Sequence, residues 1–254
     1  MIVIIDPIYF LIFTKIFAAH FYPFGKLKLA PSDINIIRNN IGFYRNLPQQ
    51  KRLNFDHRVC KFLKKYTIVG NEVEIDREKQ LLIAAIYIKL TFGMRSYLIP
   101  NFKTIIVYPE AYYNSLTQNY HKGEYNPFAK LIALSWKDFL HGIQDPNDNY
   151  NLGIHEFAHA LHNNSSKSKS FDALNFRNYF SEIEGYYKSP SQLENIQKEQ
   201  FFRDYAFTNK FEFLAVLIEY YFESPNELKK IFPKLYKNIS GMLGMDVLKI
   251  IHKK

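Results

Sequence analysis

The chain has 254 residues, of which 47% are hydrophobic and 17% aromatic, so it can bury a core and is not a disordered chain. Its net charge of +9 comes from lysines and arginines that are scattered along the sequence. Because no finger or groove-reading motif accompanies them, we expect no direct binding of nucleic acid. Cys60 is the single cysteine, which excludes an intrachain disulfide and favours a cytoplasmic location.

The first 25 residues are strongly apolar, but Asp6, Pro7 and Lys15 interrupt them. No uninterrupted run reaches the roughly 18 to 20 apolar residues that span a bilayer, and a secretory signal is not recognisable. Three interpretations stay open: a buried helix of the domain, an interfacial helix lying on a membrane, or a weak transmembrane anchor. An anchor would tether the rest of the chain to the inner face of the membrane. We therefore divide the chain into a segment that associates with a membrane in two of these cases, 1–25, and a single domain, 26–254.

Three helices are predicted in the first half of the domain. The first begins at the N-cap Ser32, the second follows Pro48 and ends near Gly70, and the third runs from the N-cap Asp76 to Gly93. The apolar centre of the third helix is too short to cross a membrane, which indicates a helix buried in the core.

Two β-branched runs, 103–109 and 130–136, are predicted to be strands, with a polar loop rich in asparagine and tyrosine between them. Downstream, 189–207 and 208–224 are predicted to be helices, and the second of these is capped by its first residue or by Asn209. The expected fold class is therefore α+β, predominantly helical with a small β-sheet.

The stretch NLGIHEFAHALHNN, residues 151–164, carries His155-Glu156-x-x-His159 on an apolar helix. Residues four apart lie on one helix face about 6 Å from each other, so both imidazoles can bind one zinc ion. Glu156 is rotated by about 100 degrees from His155, which puts its carboxylate beside the ion, where a general base belongs. The alternative is an ordinary amphipathic helix that contains two histidines.

A catalytic zinc site needs a third protein ligand. His162 lies about 10.5 Å along the helix axis from His155 and is expected instead near the exposed end of the helix. Glu212 is the better candidate, because a metal would relieve the cost of a carboxylate on a buried apolar helix. Alternatively, Glu212 caps its own helix three residues after Asn209. Glu219, two turns further on, either orients a ligand histidine or is a surface charge.

Five segments agree in order with a known family: LLIAAI, IIVYPEAY, LSWKDFLHGIQDPNDNYNLGIHEFAHAL, YAFTNKFEFLAVLIEYYFESPNEL and FPKLY. They resemble the Mlc titration factor A type of zinc peptidase, whose catalytic region is similar to that of anthrax lethal factor. The resemblance implies a zincin-like domain that holds one zinc ion per chain through His155, His159 and Glu212, with Glu156 as the base. It also implies that Tyr205 donates a hydrogen bond to the developing oxyanion.

Two features depart from the family pattern. His162 stands where the family usually has aspartate, and the segment NNSSKSKSFDAL does not reproduce the family's Asp-Gly-rich segment. These differences concern the substrate preference and the surroundings of the site more than the zinc ligands.

The resemblance implies a zinc metallopeptidase of aminopeptidase type that hydrolyses peptide or protein substrates through a zinc-activated water, with Glu156 as its base. It also implies an interaction with a transcriptional regulator. The alternative function is a regulatory binding protein in which zinc is structural or the activity incidental. Substrates of zincins commonly pair with an edge strand, and 131–136 is the candidate for that strand.

Overall fold

The structure is a computed structural model that describes residues 27–115 and 117–251. The apolar segment 1–25 lies outside the described residues, and so do the three interpretations of it. In the part of the chain that is described, no helix combines the length and the apolar character needed to cross a membrane.

The helices, in chain order, are α1 (Pro31–Asn40), α2 (Gly42–Arg45), α3 (Gln49–Lys65), α4 (Arg77–Thr91), α5 (Trp136–Gln144), α6 (Leu152–Lys167), α7 (Phe171–Lys188), α8 (Pro190–Lys198), α9 (Lys210–Glu223), α10 (Pro225–Ile231), α11 (Pro233–Met242) and α12 (Leu248–Ile251), with a 3₁₀ turn at Asp204–Phe207 between α8 and α9. The strands are β1 (Thr67–Gly70), β2 (Thr104–Tyr108), β3 (Tyr112–Asn114), β4 (Asn119–His121), β5 (Gly123–Asn126) and β6 (Leu131–Ser135). The predicted α+β class, mostly helical with a small sheet, is confirmed.

Four strands form one mixed sheet in the order β1-β2-β6-β5, in which the first three are parallel and β5 is antiparallel to β6. The prediction of 131–136 as an edge strand is wrong, because β6 is paired on both sides. The edge strand is β5, which lies in the segment predicted to be a loop. β3 and β4 form a separate hairpin just before it.

Helix ends differ from the predictions where long-range contacts or chain geometry decide them. Ala30, not Ser32, is the N-cap of α1, and Pro31 takes the first position, where the missing N–H is no loss. The second predicted helix ends at Lys65, because the residues up to Gly70 pair with β2 as a strand. The predicted cap Asp76 is confirmed by its hydrogen bond from the Lys79 N–H, 2.8 Å.

The predicted helix 189–207 is interrupted. α8 ends at Lys198, and the two phenylalanines that follow, Phe201 and Phe202, pack their rings on Tyr220 and Phe232. Burying these rings turns the chain out of the helix and leads into the 3₁₀ turn.

The histidine helix α6 lies at the centre of the domain, in contact with α4, α9 and the strands β5 and β6. Its core-facing residue Phe157 is fully buried and contacts the rings of Tyr87 and Phe102. This packing fixes the axis of α6, so the side chains on its other faces have defined positions relative to α9 and to the edge strand β5.

Candidate active site

The N-terminus of α6 is fastened by Asn151. Its side chain accepts a hydrogen bond from the Ile154 N–H and donates to the Gly142 carbonyl and to Glu223. Its backbone N–H donates to the Glu219 carboxylate, 2.7 Å away. The start of the histidine helix is therefore joined to α5 and to α9 by buried hydrogen bonds, which hold the helix in register with both.

Three atoms from two helices that could each donate an electron pair to a metal ion, called the donor atoms from here on, lie close together. His155 Nε2 lies 2.9 Å from Glu212 Oε2 and 3.1 Å from His159 Nε2, and the third distance, from His159 Nε2 to Glu212 Oε2, is 3.4 Å. The structure thus brings together the three residues that the sequence analysis selected. Asn209 accepts from the Glu212 N–H and is the cap of α9, so the Glu212 carboxylate is not used to cap its own helix.

This donor set suits a metal ion. Ligand atoms at about 2.0 to 2.1 Å from a tetrahedral zinc ion are separated from each other by about 3.3 Å. The three observed separations, 2.9, 3.1 and 3.4 Å, lie close to that value. Two imidazole nitrogens and one carboxylate oxygen are also a ligand set that catalytic zinc sites use, with one position open.

Glu219 is not a surface charge. Its side chain is almost completely buried, and Oε1 accepts a hydrogen bond from His155 Nδ1 at 2.8 Å. With its proton on Nδ1, the His155 ring presents the lone pair of Nε2 to Glu212 and His159. The geometry agrees with the first of the two interpretations of Glu219, the residue that orients a histidine.

Arg203 holds Glu219 in turn. Its Nη2 lies 2.6 Å from Glu219 Oε1, its Nη1 donates to the Asn149 carbonyl, and its guanidinium lies 4.4 Å from the Tyr150 ring centre. Sequence analysis missed this residue. Its signal is weak, since an arginine two positions before Tyr205 carries no pattern until the fold brings it under α9.

Opposite pKa shifts mark the centre of the site. Burial alone would lower the pKa of His155, but its bonds to Glu212 and Glu219 outweigh burial and raise that pKa. Burial alone would raise the pKa of Glu212, but the two histidines outweigh it and lower that pKa. The two shifts reflect the same contacts: the carboxylates stabilise the charged form of His155, and the histidines stabilise the charged form of Glu212.

Glu156 does not contribute one of the three donor atoms, but its carboxyl is close enough to His155, His159 and Glu212 to interact with their charges. It is 6% exposed, and burial raises the pKa of its carboxyl. Its carboxylate lies against Gly123 of the edge strand, between α6 and β5. This is a position in which a carboxylate can exchange a proton with a molecule placed at the donor atoms.

Tyr205 lies on the 3₁₀ turn with its ring centre 5.9 Å from that of His155, and half of its surface is exposed. Burial of the phenol raises its pKa to about 12, and the nearby Glu212 charge adds to the shift. The hydroxyl therefore keeps its proton at neutral pH and can donate it in a hydrogen bond towards the site.

His162 does not join the three donor atoms. We expected His162 near the exposed end of the helix; it lies in the later part of α6 but is half-buried, because Phe180 and Phe211 pack against it with ring centres 4.5 and 4.8 Å from its own. Burial lowers the pKa of His162 to about 4, so it is a neutral, aromatic part of the packing between α6, α7 and α9.

Comparison with known proteins assigns the chain to a family. Residues 24–243 match the model of the glucose-regulated metallo-peptidase M90 family. The chain belongs to this family. The match covers nearly all of the described residues and includes α6, the 3₁₀ turn and α9, the elements that build the site. A metallopeptidase family implies a metal cofactor, and the three convergent donor atoms provide candidate ligands for it.

Individual relatives agree with this assignment. An uncharacterized protein of Synechocystis sp. is 28% identical over 221 residues, which cover 80% of this chain and 79% of that protein. Mlc titration factor A of Cronobacter sakazakii is 33% identical over 129 residues, and that of Escherichia coli is 31% identical over 133 residues. This M90 chain spans about half the length of those two relatives, 46% and 47%. The predicted kinship with the Mlc titration factor A family is confirmed.

Proposed function

We propose that this M90 protein is a zinc-dependent peptidase of zincin-like fold with one zinc ion per chain. The observation that carries the proposal is the convergence of His155, His159 and Glu212, whose donor atoms lie 2.9 to 3.4 Å apart although Glu212 is 57 residues from His155. A zinc ion held by these three side chains would acidify a water molecule and polarise a peptide carbonyl.

Glu156 is the proton carrier in this proposal. Its carboxylate takes the proton of the attacking water and passes it to the nitrogen of the leaving amine, so that the amine leaves as a neutral group. The oxygen that gains negative charge in the same step receives the hydrogen bond of Tyr205. Both roles follow from where the two side chains lie around the donor atoms.

The edge strand β5 is the proposed site of substrate pairing. It pairs with β6 along one side, and within the described chain no strand pairs with its other side. An extended peptide that adds to this side would run next to Glu156, since Gly123 of β5 lies against that carboxylate. We further propose that the substrates include short peptides with a free amino terminus, which is the substrate class implied by the resemblance to the Mlc titration factor A type of peptidase.

The test combines hydrolysis and metal content. We expect the wild-type protein to cleave a mixture of peptides, and Glu156→Gln to retain one zinc ion per chain while its kcat falls by about 1,000-fold or more. Blocking the amino termini of the peptides separates aminopeptidase from endopeptidase activity. A Glu156→Gln variant that hydrolyses peptides at the wild-type rate would contradict the role of the base.

A second function is favoured by the names of two relatives. Mlc titration factor A of C. sakazakii and of E. coli is named for an action on Mlc. We propose by analogy that this chain binds a regulatory protein in the cytoplasm, with hydrolysis as a separate activity. Pull-down with the Glu156→Gln variant tests this, because binding that survives loss of turnover identifies a partner surface independent of catalysis.

A further inference from the structure

The edge strand contacts the proposed base at a residue without a side chain. A Cβ atom built on Gly123 would lie 2.6 Å from Glu156 Oε1, 2.9 Å from Glu156 Cγ and 2.6 Å from Leu152 Cδ1. Ordinary contacts of a Cβ atom begin at 3.4 Å. The space that any other amino acid would need at this position is therefore already taken by the Glu156 carboxylate and its neighbour.

Backbone conformation does not explain the glycine. Among the described glycines only Gly244 has a positive φ, so the backbone of Gly123 is one that any residue can adopt. What excludes a side chain here is the closeness of β5 to α6. Gly123 lies at the point of that contact.

The Glu156 carboxylate depends on this contact for its position. Within the described residues it is surrounded by the charges of His155, His159 and Glu212, but no side chain or backbone group donates a hydrogen bond to it. A buried carboxylate without such a bond is positioned by packing, and Gly123 and Leu152 form the packing surface on the side of the sheet.

Of the two groups in contact, the strand β5 is held more firmly than the side chain of Glu156. β5 pairs with β6 over its whole length, and Tyr125 on β5 donates to Asn163 at the far end of α6, 2.9 Å. Asn101 donates to Tyr125 and to the Ala160 carbonyl. These bonds hold β5 against α6, so an added methyl group displaces the side chain of Glu156 before it displaces the strand.

We propose that Gly123 is a positioning residue for the reaction. Because it has no side chain, the Glu156 carboxylate can occupy the space beside β5 from which it reaches the attacking water molecule. The inference rests on the proposed function, since it takes Glu156 as the base.

The test compares Gly123→Ala with Gly185→Ala. Gly185 lies exposed on α7 with nothing within 4 Å of its would-be Cβ, which makes it a matched control for the same substitution. We expect Gly123→Ala to keep one zinc ion per chain and a KM within about twofold of the wild-type value, while kcat falls by about 100-fold, as misplacement of a catalytic group by about 1 Å can cause. Gly185→Ala should hydrolyse peptides at the wild-type rate.

A crystal structure of zinc-loaded Gly123→Ala gives a readout that does not depend on activity. We expect the Glu156 carboxylate to move away from residue 123 by about 1 Å, with the zinc ligands unchanged. Wild-type turnover and an unmoved carboxylate in Gly123→Ala would overturn the inference. If the wild-type protein cleaves no peptide, the proposed function fails, and the position of the carboxylate in the two structures still decides whether Gly123 places it.

Discussion

Both ring nitrogens of His155 contact other side chains of the site, so this histidine lies at its centre. Nδ1 donates to Glu219, and Nε2 faces Glu212 and His159. The three carboxylates Glu156, Glu212 and Glu219 together carry three negative charges when ionised. A divalent cation at the donor atoms and the Arg203 guanidinium would balance them, which gives the buried site a net charge near zero.

Glu219→Gln tests the orienting role of Glu219. The substitution removes the charged acceptor of His155 Nδ1 and should weaken metal binding about 10- to 100-fold, because the groups that orient a metal-binding histidine have effects of this size. Competition with a chelator of known affinity measures the dissociation constant. Glu227 is an exposed residue of α10, and the control variant Glu227→Gln should bind zinc as the wild type does. Equal affinity in both variants would assign Glu219 a purely structural role.

Arg203→Met tests the buried ion pair beneath the site. Arg203 and Glu219 are both largely buried, and removing the guanidinium deprives the buried Glu219 carboxylate of its salt bridge with arginine. The free energy of unfolding should therefore fall by about 3 kcal/mol. Lys188→Met breaks the exposed pair with Glu184 and should cost at most about 1 kcal/mol. Urea unfolding of the three proteins gives these differences, and similar values for both variants would contradict the account of Arg203.

At the scale of elements, local sequence patterns such as β-branched runs and cap residues were sufficient to predict several strands and helix starts. The runs 103–109 and 130–136 do form β2 and β6, the cap Asp76 was identified correctly, and Asn209 was one of the two residues proposed to cap α9. Where pairing partners lie far away in sequence, the patterns failed. β1 was assigned to the end of a helix although its residues Thr67, Ile68 and Val69 are β-branched. β5 was assigned to a loop, because its sequence GEYN has little strand character and its strand conformation comes from pairing with β6.

The same distinction holds for the site. His155, His159 and Glu156 were selected from one helical motif. The cost of a carboxylate on a buried helix favoured Glu212 as the third ligand, with capping of its own helix as the alternative. Tyr205 was found only by resemblance, since nothing distinguishes it among 19 tyrosines. Gly123 and Arg203 could not be found from the sequence, because each acts through a contact between elements that only the folded chain creates.

The contact between α6 and α9 should make stability depend on pH through Glu223. Burial raises its pKa from 4.5 to about 7, although its bond from Asn151 and the charge of Lys89 oppose the shift. Between these two values the folded protein keeps a proton that the unfolded chain has lost, so stability falls as pH rises through this window and levels off above it. Glu223→Gln should flatten that slope. Urea midpoints at about pH 5 and pH 8 measure it, and an identical slope in the variant would count against the buried carboxyl.

At the scale of the whole molecule, the M90 match and the fold cover the same part of the chain. Residues 24–243 match the family, and this range contains the helices α6 and α9 and the 3₁₀ turn, which carry the candidate site residues. The alignment with the Mlc titration factors covers about half of each chain. Membership of the metallopeptidase family is therefore shown by the family match, whereas binding of a regulatory protein is a proposal.

The most direct test of the central claim is the metal content of the purified protein, measured by native mass spectrometry beside Glu212→Ala and with peptide hydrolysis followed on both. The account predicts one zinc ion per wild-type chain, and loss of both zinc and hydrolysis in Glu212→Ala. Folded wild-type protein that was never exposed to a chelator and takes up no zinc would contradict it, and HEFAH would then be a buried helix that contains two histidines.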